Sequence, residues 1–155
     1  VQQGFAFAAQ HPLDYLSGQL SARDYEIAAL GDYAVAMEQI NALPAGSGVM
    51  FLWEPRTLSC GPTLCCEADE LLDNSLTASN NAQSAQATIA HWRALGYDYV
   101  LISEYGSQTI RRDRPDWVSA STWAAFDDFR ALVGECESFG GTYSLCVLPA
   151  VEAQS

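Results

Sequence analysis

The chain has 155 residues, of which 49% are hydrophobic, and its 19 acidic and 7 basic residues give a formal charge of -12. This is the length of one ordinary domain, with enough apolar content for a real core. The charge argues against duplex nucleic acid, which needs clustered positive charge, so no nucleic-acid partner is expected; it also argues against flat association with an anionic membrane surface. No stretch approaches the roughly 20 apolar residues of a membrane helix.

Residues 1–20 read as a lead-in from a preceding segment. Val1 to Gln10 is uncharged and rich in Ala and Phe, without the basic start and full apolar stretch of a signal peptide. His11-Pro12 marks a turn, and Leu13, Tyr15, Leu16 and Leu20 are expected to pin the segment onto the domain. Ser21 and Asp24 have the spacing of a helix-start box. Gly31-Asp32 breaks this helix or starts a second one. There Tyr33, Ala36, Met37, Ile40 and Leu43 share one face, and Glu38, Gln39 and Asn41 fill the other. Pro44-Ala45-Gly46-Ser47-Gly48 stops it.

Val49 to Trp53, five consecutive apolar residues after that turn, predict a strand buried on both faces. Pro55 cannot donate to a sheet ladder, so the strand should end near Glu54. Glu54 and Arg56 then stand at its carboxyl end, the rim where open α/β sheets meet ligands. Residues 55–82 read as the longest irregular stretch. It holds Cys60, Cys65, Cys66 and the acids Glu67, Asp69, Glu70 and Asp73. One helical turn is expected over Glu67 to Leu72 and a surface loop over Ser75 to Gln83.

A helix is predicted from about Gln83 to Leu95, with Ala85, Ile89 and Trp92 inward and Gly96 as its carboxyl cap. Tyr97 to Ile102 is the second strand, far enough from the first for a parallel crossover. Glu104 and Tyr105 follow at its carboxyl end, beside Glu54 if the strands are neighbours. Residues 106–120 read as a connection carrying Arg111, Arg112 and Arg114. Ser121 is expected to cap a third helix that buries Trp123, Phe126, Phe129 and Val133, leaves Asp127, Asp128 and Arg130 in water, and ends at Gly134. Cys136 to Phe139 and Tyr143 to Leu148 make a hairpin around Gly140-Gly141, followed by a frayed tail over residues 151–155.

The sum is a single α/β domain over residues 21–150. It is expected to be small, layered and Rossmann-like: a mostly parallel sheet of about four strands with a C-terminal β-hairpin and flanking helices. No GxGxxG follows either strand and no GxxxxGKS/T occurs, so no cofactor is expected.

Five cysteines in a chain this short suggest an oxidising compartment. Cys60 can close a small loop onto Cys65 or Cys66. Cys136 and Cys146 face each other if the hairpin loop is Gly140-Gly141-Thr142. Two bridges and one spare thiol is the simplest count; the alternative is that Cys136 and Cys146 are small buried residues of a reducing cell. Cys60, Cys65 and Cys66 lack CxxC spacing and have only His91 as a reasonable fourth ligand, so no metal site is expected. Cys65 or Cys66 with His91 as a nucleophilic pair would need a closeness that spacing does not establish.

Glu54 with Arg56, joined by Glu104, is the best rim cluster for a ligand contact; an ion pair tying the strand end to a loop is the plainer alternative. Neighbouring acids such as Glu67 with Asp69, or Asp127 with Asp128, do not face each other and read as solvated surface. Arg111-Arg112-Asp113-Arg114 is the only basic cluster. It suits lipid phosphates, a polyprenyl phosphate or the membrane half of a parent protein, or else pairs with the domain's own acids. Trp53, Trp92, Trp117 and Trp123 could stack on sugars, but tryptophans in an apolar pattern mostly belong to cores.

Several pieces resemble one family together: Pro12-Leu13-Asp14-Tyr15-Leu16-Ser17-Gly18, Ser21-Ala22-Arg23-Asp24-Tyr25, the stretch from Tyr33 to Leu43-Pro44, Phe51-Leu52-Trp53-Glu54-Pro55-Arg56, Cys60, Leu71-Leu72-Asp73 and Leu95 to Ile102. They are similar to the soluble carboxyl-terminal region of bacterial polytopic glycosyltransferases of the dolichyl-phosphate-mannose–protein mannosyltransferase class and its relatives that use polyprenyl-phosphate sugars. The likeness covers nearly the whole chain, and the Leu-Trp-Glu-Pro-Arg run is its most specific piece. It implies an accessory domain on the extracytoplasmic face, anchored by transmembrane segments outside this sequence. The implied partners are the membrane-embedded part of the same polypeptide and a polyprenyl-phosphate sugar or an acceptor glycan or protein. The class keeps its catalytic acids in an early loop between membrane helices, onto which no residue here maps, so no catalytic residue is expected. The rival reading is a free-standing carbohydrate or small-ligand binding module using the Glu54/Glu104 rim. A self-contained hydrolase or transferase is the third reading and lacks a visible nucleophile–base set.

Overall fold

The computed structural model describes residues 12–69, 84–134 and 136–150. The expectations for the first eleven residues, for Glu70 to Gln83 and for the tail over residues 151–155 lie outside the described residues. In chain order the elements are α1 (Pro12–Leu16), α2 (Ala22–Leu30), α3 (Asp32–Asn41), β1 (Gly48–Leu52), β2 (Cys65–Asp69), α4 (Ala85–Ala94), β3 (Tyr97–Ser103), α5 (Glu104–Asp113), α6 (Ala120–Val133), β4 (Cys136–Phe139) and β5 (Tyr143–Val147).

The five strands form one sheet in the order β2-β1-β3-β5-β4. β1 pairs in parallel with β2 and β3, whereas β5 pairs antiparallel with β3 and β4. The sheet is therefore mixed, not mostly parallel as expected: the hairpin inserts its second strand beside β3 and carries the first out to the edge. The fifth strand, β2, lies where the sequence reads as irregular. Its acidic composition has low strand preference, but such preferences yield to pairing. Here β1 supplies the partner, a Cys60–Cys66 disulfide ties the strand down, and Cys66 and Ala68 pack on the core. The helical turn expected from Glu67 is thus replaced by strand over its described part.

β1 is buried along its whole length, as its unbroken apolar run predicts. Alternation sends Val49 and Phe51 to one face, with Tyr33, Met37 and Ile40 of α3, and Met50 and Leu52 to the other, with Ile89 and Trp92 of α4 and Phe126 and Phe129 of α6. Each such large side chain contributes about 1.5–3 kcal/mol of transfer free energy. Gly48 is required by close approach: a Cβ there would lie 2.2 Å from the carbonyl oxygen of Gly96, where β1 meets β3.

Ser21 caps α2 as its spacing predicts, accepting from the Asp24 backbone N–H and donating to the Asp24 carboxylate. The inward face of α4 is also as expected. Three expectations are corrected. Leu13 and Leu16 are exposed and do not pin α1 to the domain, although Tyr15 stacks on Tyr25 of α2. The N-cap of α6 is Ser119, which accepts from the Thr122 N–H, while the Ser121 hydroxyl merely bonds to that of Ser119. Residues 104–113, expected within a connection from residue 106 onward, are helical. Ser103 caps that helix through the Gly106 N–H, and Gly106 is needed because a Cβ would lie 2.6 Å from the Trp53 carbonyl oxygen.

Both predicted bridges are present. Cys136 and Cys146 are direct register partners across the hairpin and form a disulfide; Cys60 takes Cys66, leaving Cys65 as an exposed thiol.

Candidate functional site at the carboxyl rim of the sheet

Beyond Leu52 the chain leaves the sheet through Trp53, whose φ of 62° lies in the left-handed region. For a bulky side chain that conformation costs on the order of 1–3 kcal/mol and persists only where its surroundings impose it. Trp53 packs in the core on the α4/α6 face, stacked on Trp123 at 4.8 Å with Phe126 edge-on. Glu54 engages the opposite, α3 face.

Glu54 is 3% exposed, and it is fully engaged. Arg56 donates to it from Nε and Nη2, each at 2.7 Å, and from its backbone N–H at 3.0 Å. The Tyr143 hydroxyl of β5 donates to the same carboxylate and accepts from Arg56 at 2.9 Å. The guanidinium sits 4.0 Å above the Tyr33 ring of α3, whose hydroxyl donates to the Arg56 carbonyl. Burial alone would push the Glu54 pKa up; the bonds from Arg56 and Tyr143 outweigh it and hold the carboxyl below its ordinary value. The Glu54 bonds raise Arg56, and burial followed by the Glu54 carboxylate raises Tyr143. A carboxylate so held stays ionised at neutral pH and is a poor proton donor. The cluster ties the end of β1 to α3 and β5.

β1 and β3 are neighbours, yet Glu104 does not join this cluster. Its carboxylate accepts from Arg130 of α6 and, at 2.6 Å, from Ser144. Tyr143 and Ser144 are consecutive on β5 and point to opposite faces, so Glu54 and Glu104 share the rim while serving different layers. Arg130, expected in water, is half-buried by this pairing.

The arginine run is also divided. Arg111 pairs with Asp127 at 2.8 Å and covers Trp123 at 4.3 Å; Arg112 pairs with Asp113 at 2.6 Å. Arg114 lies 4.8 Å above the exposed Trp117 ring and makes no ion pair among the described residues, although its charge favours the ionised form of Asp113.

Trp53, Pro55, Tyr105, Thr109, Ile110 and Trp117 line an open, mostly apolar recess of about 310 Å³. Tyr105 is 66% and Trp117 55% exposed. The Trp53 indole Nε1–H is buried and has no hydrogen-bond partner among the described residues. On the other flank of α5 a recess of about 260 Å³ is lined by Glu104, Arg111, Asp127 and Arg130, whose charges are already paired with one another.

His91 is exposed on α4, and Trp92 is core. Sequence reasoning placed Glu54 and Arg56 together but missed Tyr143 and Ser144, which no local pattern marks, and missed Tyr105 as a lining residue because α5 was read as a connection. No protein-family model matches the chain, and no curated protein or solved structure matches it either.

Proposed function

We propose that this chain is an accessory extracytoplasmic domain of a membrane-bound glycosyltransferase that uses polyprenyl-phosphate sugars, without catalysis of its own, helping to position acceptor or donor. The observation that carries this reading is how the Leu52-Trp53-Glu54-Pro55-Arg56 run is used. Its two charges close on each other, on Tyr33 and on Tyr143, which suits scaffolding and not proton transfer, while Trp53 lines a recess. The parallel β1–α4–β3 unit is the part that fits a Rossmann-like half-domain. The two disulfides are compatible with an extracytoplasmic location. No helix among the described residues is long and apolar enough to cross a membrane, so in this reading the anchor belongs to another part of the polypeptide, which is also the principal partner. The aromatic recess favours one alternative, a free-standing carbohydrate or small-ligand binding module.

The reading is tested on the gene and on the protein. The coding sequence immediately before Val1 should specify several membrane spans, and removing this domain from the parent should lower sugar transfer. An independent reading frame with its own signal peptide would transfer the case to the binding module. Sugar transfer by the purified chain, supplied with polyprenyl-phosphate sugar and acceptor, would overturn the absence of catalysis.

A further inference from the structure

We propose that Cys60, Cys65 and Cys66 form a disulfide switch at the sheet edge: the free Cys65 thiol attacks the Cys60–Cys66 bridge, the bridge moves to Cys60–Cys65, and β2 comes away from β1. The inference goes beyond the accessory-domain reading and does not depend on what the domain binds.

The two bridges that Cys60 can make close loops differing by one residue, so chain entropy barely separates them. Strand pairing makes the choice. Cys60, Cys66 and Ala68 pack on the α3 face. Cys65 and Glu67 alternate to the other side, where Tyr97, a core residue of the α4/α6 face, donates its hydroxyl to Glu67. The Cys65 thiol is exposed, and its backbone stands opposite Gly48 with the N–H donating to the Ser47 carbonyl at 3.1 Å. The bridge itself is only half-buried. Cys60 is held in place for the attack: the Asn41 side chain donates to the Ser59 carbonyl at 3.0 Å and accepts from the Gly61 N–H at 2.7 Å, on either side of it. The moving part is β2, which pairs with β1 alone among the described strands and has an acidic sequence of low strand preference.

The exchange needs no outside oxidant or reductant. The Cys65 thiol gives its proton to solvent, and the thiolate attacks the Cys60 Sγ. A Cys60–Cys65 bond forms as the Cys60–Cys66 bond breaks, and Cys66 leaves as a thiolate that takes a proton from water. One disulfide and one thiol are present before and after. The structural change follows from the pleat. Cys65 faces away from Cys60, so it reaches Cys60 only by giving up its place opposite Gly48. A one-residue slip of β2 would restore pairing but turn Glu67 onto the apolar α3 face, where an unpaired carboxylate is costly. β2 therefore opens instead of sliding, the Tyr97–Glu67 bond is lost, and the edge of β1 is exposed. Pairing of β2 keeps the Cys60–Cys66 form in excess, and whatever opens β2 moves the bridge.

The test uses the oxidised full chain with no added reductant. After equilibration at mildly alkaline pH across a urea series, exchange is stopped with acid and free thiols are labelled with N-ethylmaleimide. The bridges are then reduced and capped with iodoacetamide, and fragment mass spectrometry of the tryptic peptide from Thr57 to Arg93 locates the first label. Without urea the label is expected on Cys65. At urea concentrations below the unfolding midpoint, label on Cys66 should rise about tenfold, with loss of amide hydrogen-exchange protection in β2 and none in β3. Cys66→Ser should oxidise to a Cys60–Cys65 bridge and lose protection in β2, and Cys65→Ser should take up no label. Label on Cys66 that appears only with global unfolding, or that depends on chain concentration, would overturn the inference. So would label on Cys60, which means attack at the Cys66 Sγ, and so would Cys60 and Cys65 remaining as free thiols in Cys66→Ser.

Discussion

On the α3 face of the carboxyl rim, Glu54, Arg56, Tyr33 and Tyr143 satisfy one another, and the carboxylate at their centre is almost wholly buried. On the α4/α6 face, one residue earlier in the chain, Trp53 holds an unfavourable backbone angle and an orphan donor beside two exposed aromatic rings. Both lie in the same five-residue motif. A group that already has its partners gives up nothing to a ligand unless those bonds break, whereas bare aromatic surface can gain. The charged residues that attract attention in the sequence are thus the closed half of the rim, and the aromatic residues are the open half.

The largest effect should come from breaking the closed half. Glu54→Ala removes the carboxylate to which both Arg56 and the Tyr143 hydroxyl donate, and urea unfolding should show a loss of about 3 kcal/mol, the low end for a broken buried pair because Arg56 keeps its bond to Tyr143 and can turn to water. A loss below about 1 kcal/mol would mean that the cluster is not a latch. Gly106→Ala comes next, at about 2 kcal/mol, because its Cβ would press on the Trp53 carbonyl and force α5 away from β1. Unlike Glu54→Ala, it should also shift the Trp53 indole N–H signal of the ¹⁵N-labelled chain.

Tyr143→Phe should cost about 1 kcal/mol and change the acid limb of stability. With its folded pKa held below the ordinary 4.5, Glu54 contributes fully above that value and loses its contribution as pH falls through the folded one. Without the tyrosine bond, burial is opposed less, the folded pKa rises, and the smaller contribution disappears at a higher pH. Urea midpoints measured from neutral pH to pH 3 in both proteins would show acid destabilisation starting earlier in the variant; superimposable acid limbs would mean that Tyr143 does not tune Glu54. The smallest effect belongs to the open half: Arg114→Ala should move stability by no more than about 0.5 kcal/mol, since its guanidinium pairs with no described acid. A larger loss would make Arg114 part of the scaffold.

Much of the framework was legible because it is written at short range. The buried face of α3, the inward face of α4, the unbroken burial of β1 and the Ser21 cap follow from side-chain periodicity and capping chemistry within a few residues. The Cys136–Cys146 bridge follows from the two glycines that set the hairpin loop and hence the register. What escaped depends on distant neighbours. β2 is a strand because β1 offers it an edge, and α5 continues through Gly106 because Trp53 leaves room for no side chain there.

The candidate site divides in the same way. The sequence by itself determined that Glu54 and Arg56 would meet, two residues apart beyond a strand, because local geometry brings them within reach. Only the tertiary structure decided that Tyr143, 89 residues from Glu54, would close the cluster and that Glu104 would bond on the other face. Only it decided that Trp53, Tyr105 and Trp117 would line one recess. The physical reason is that a hydrogen bond or a packed ring depends on distance in space, and composition and spacing report distance along the chain.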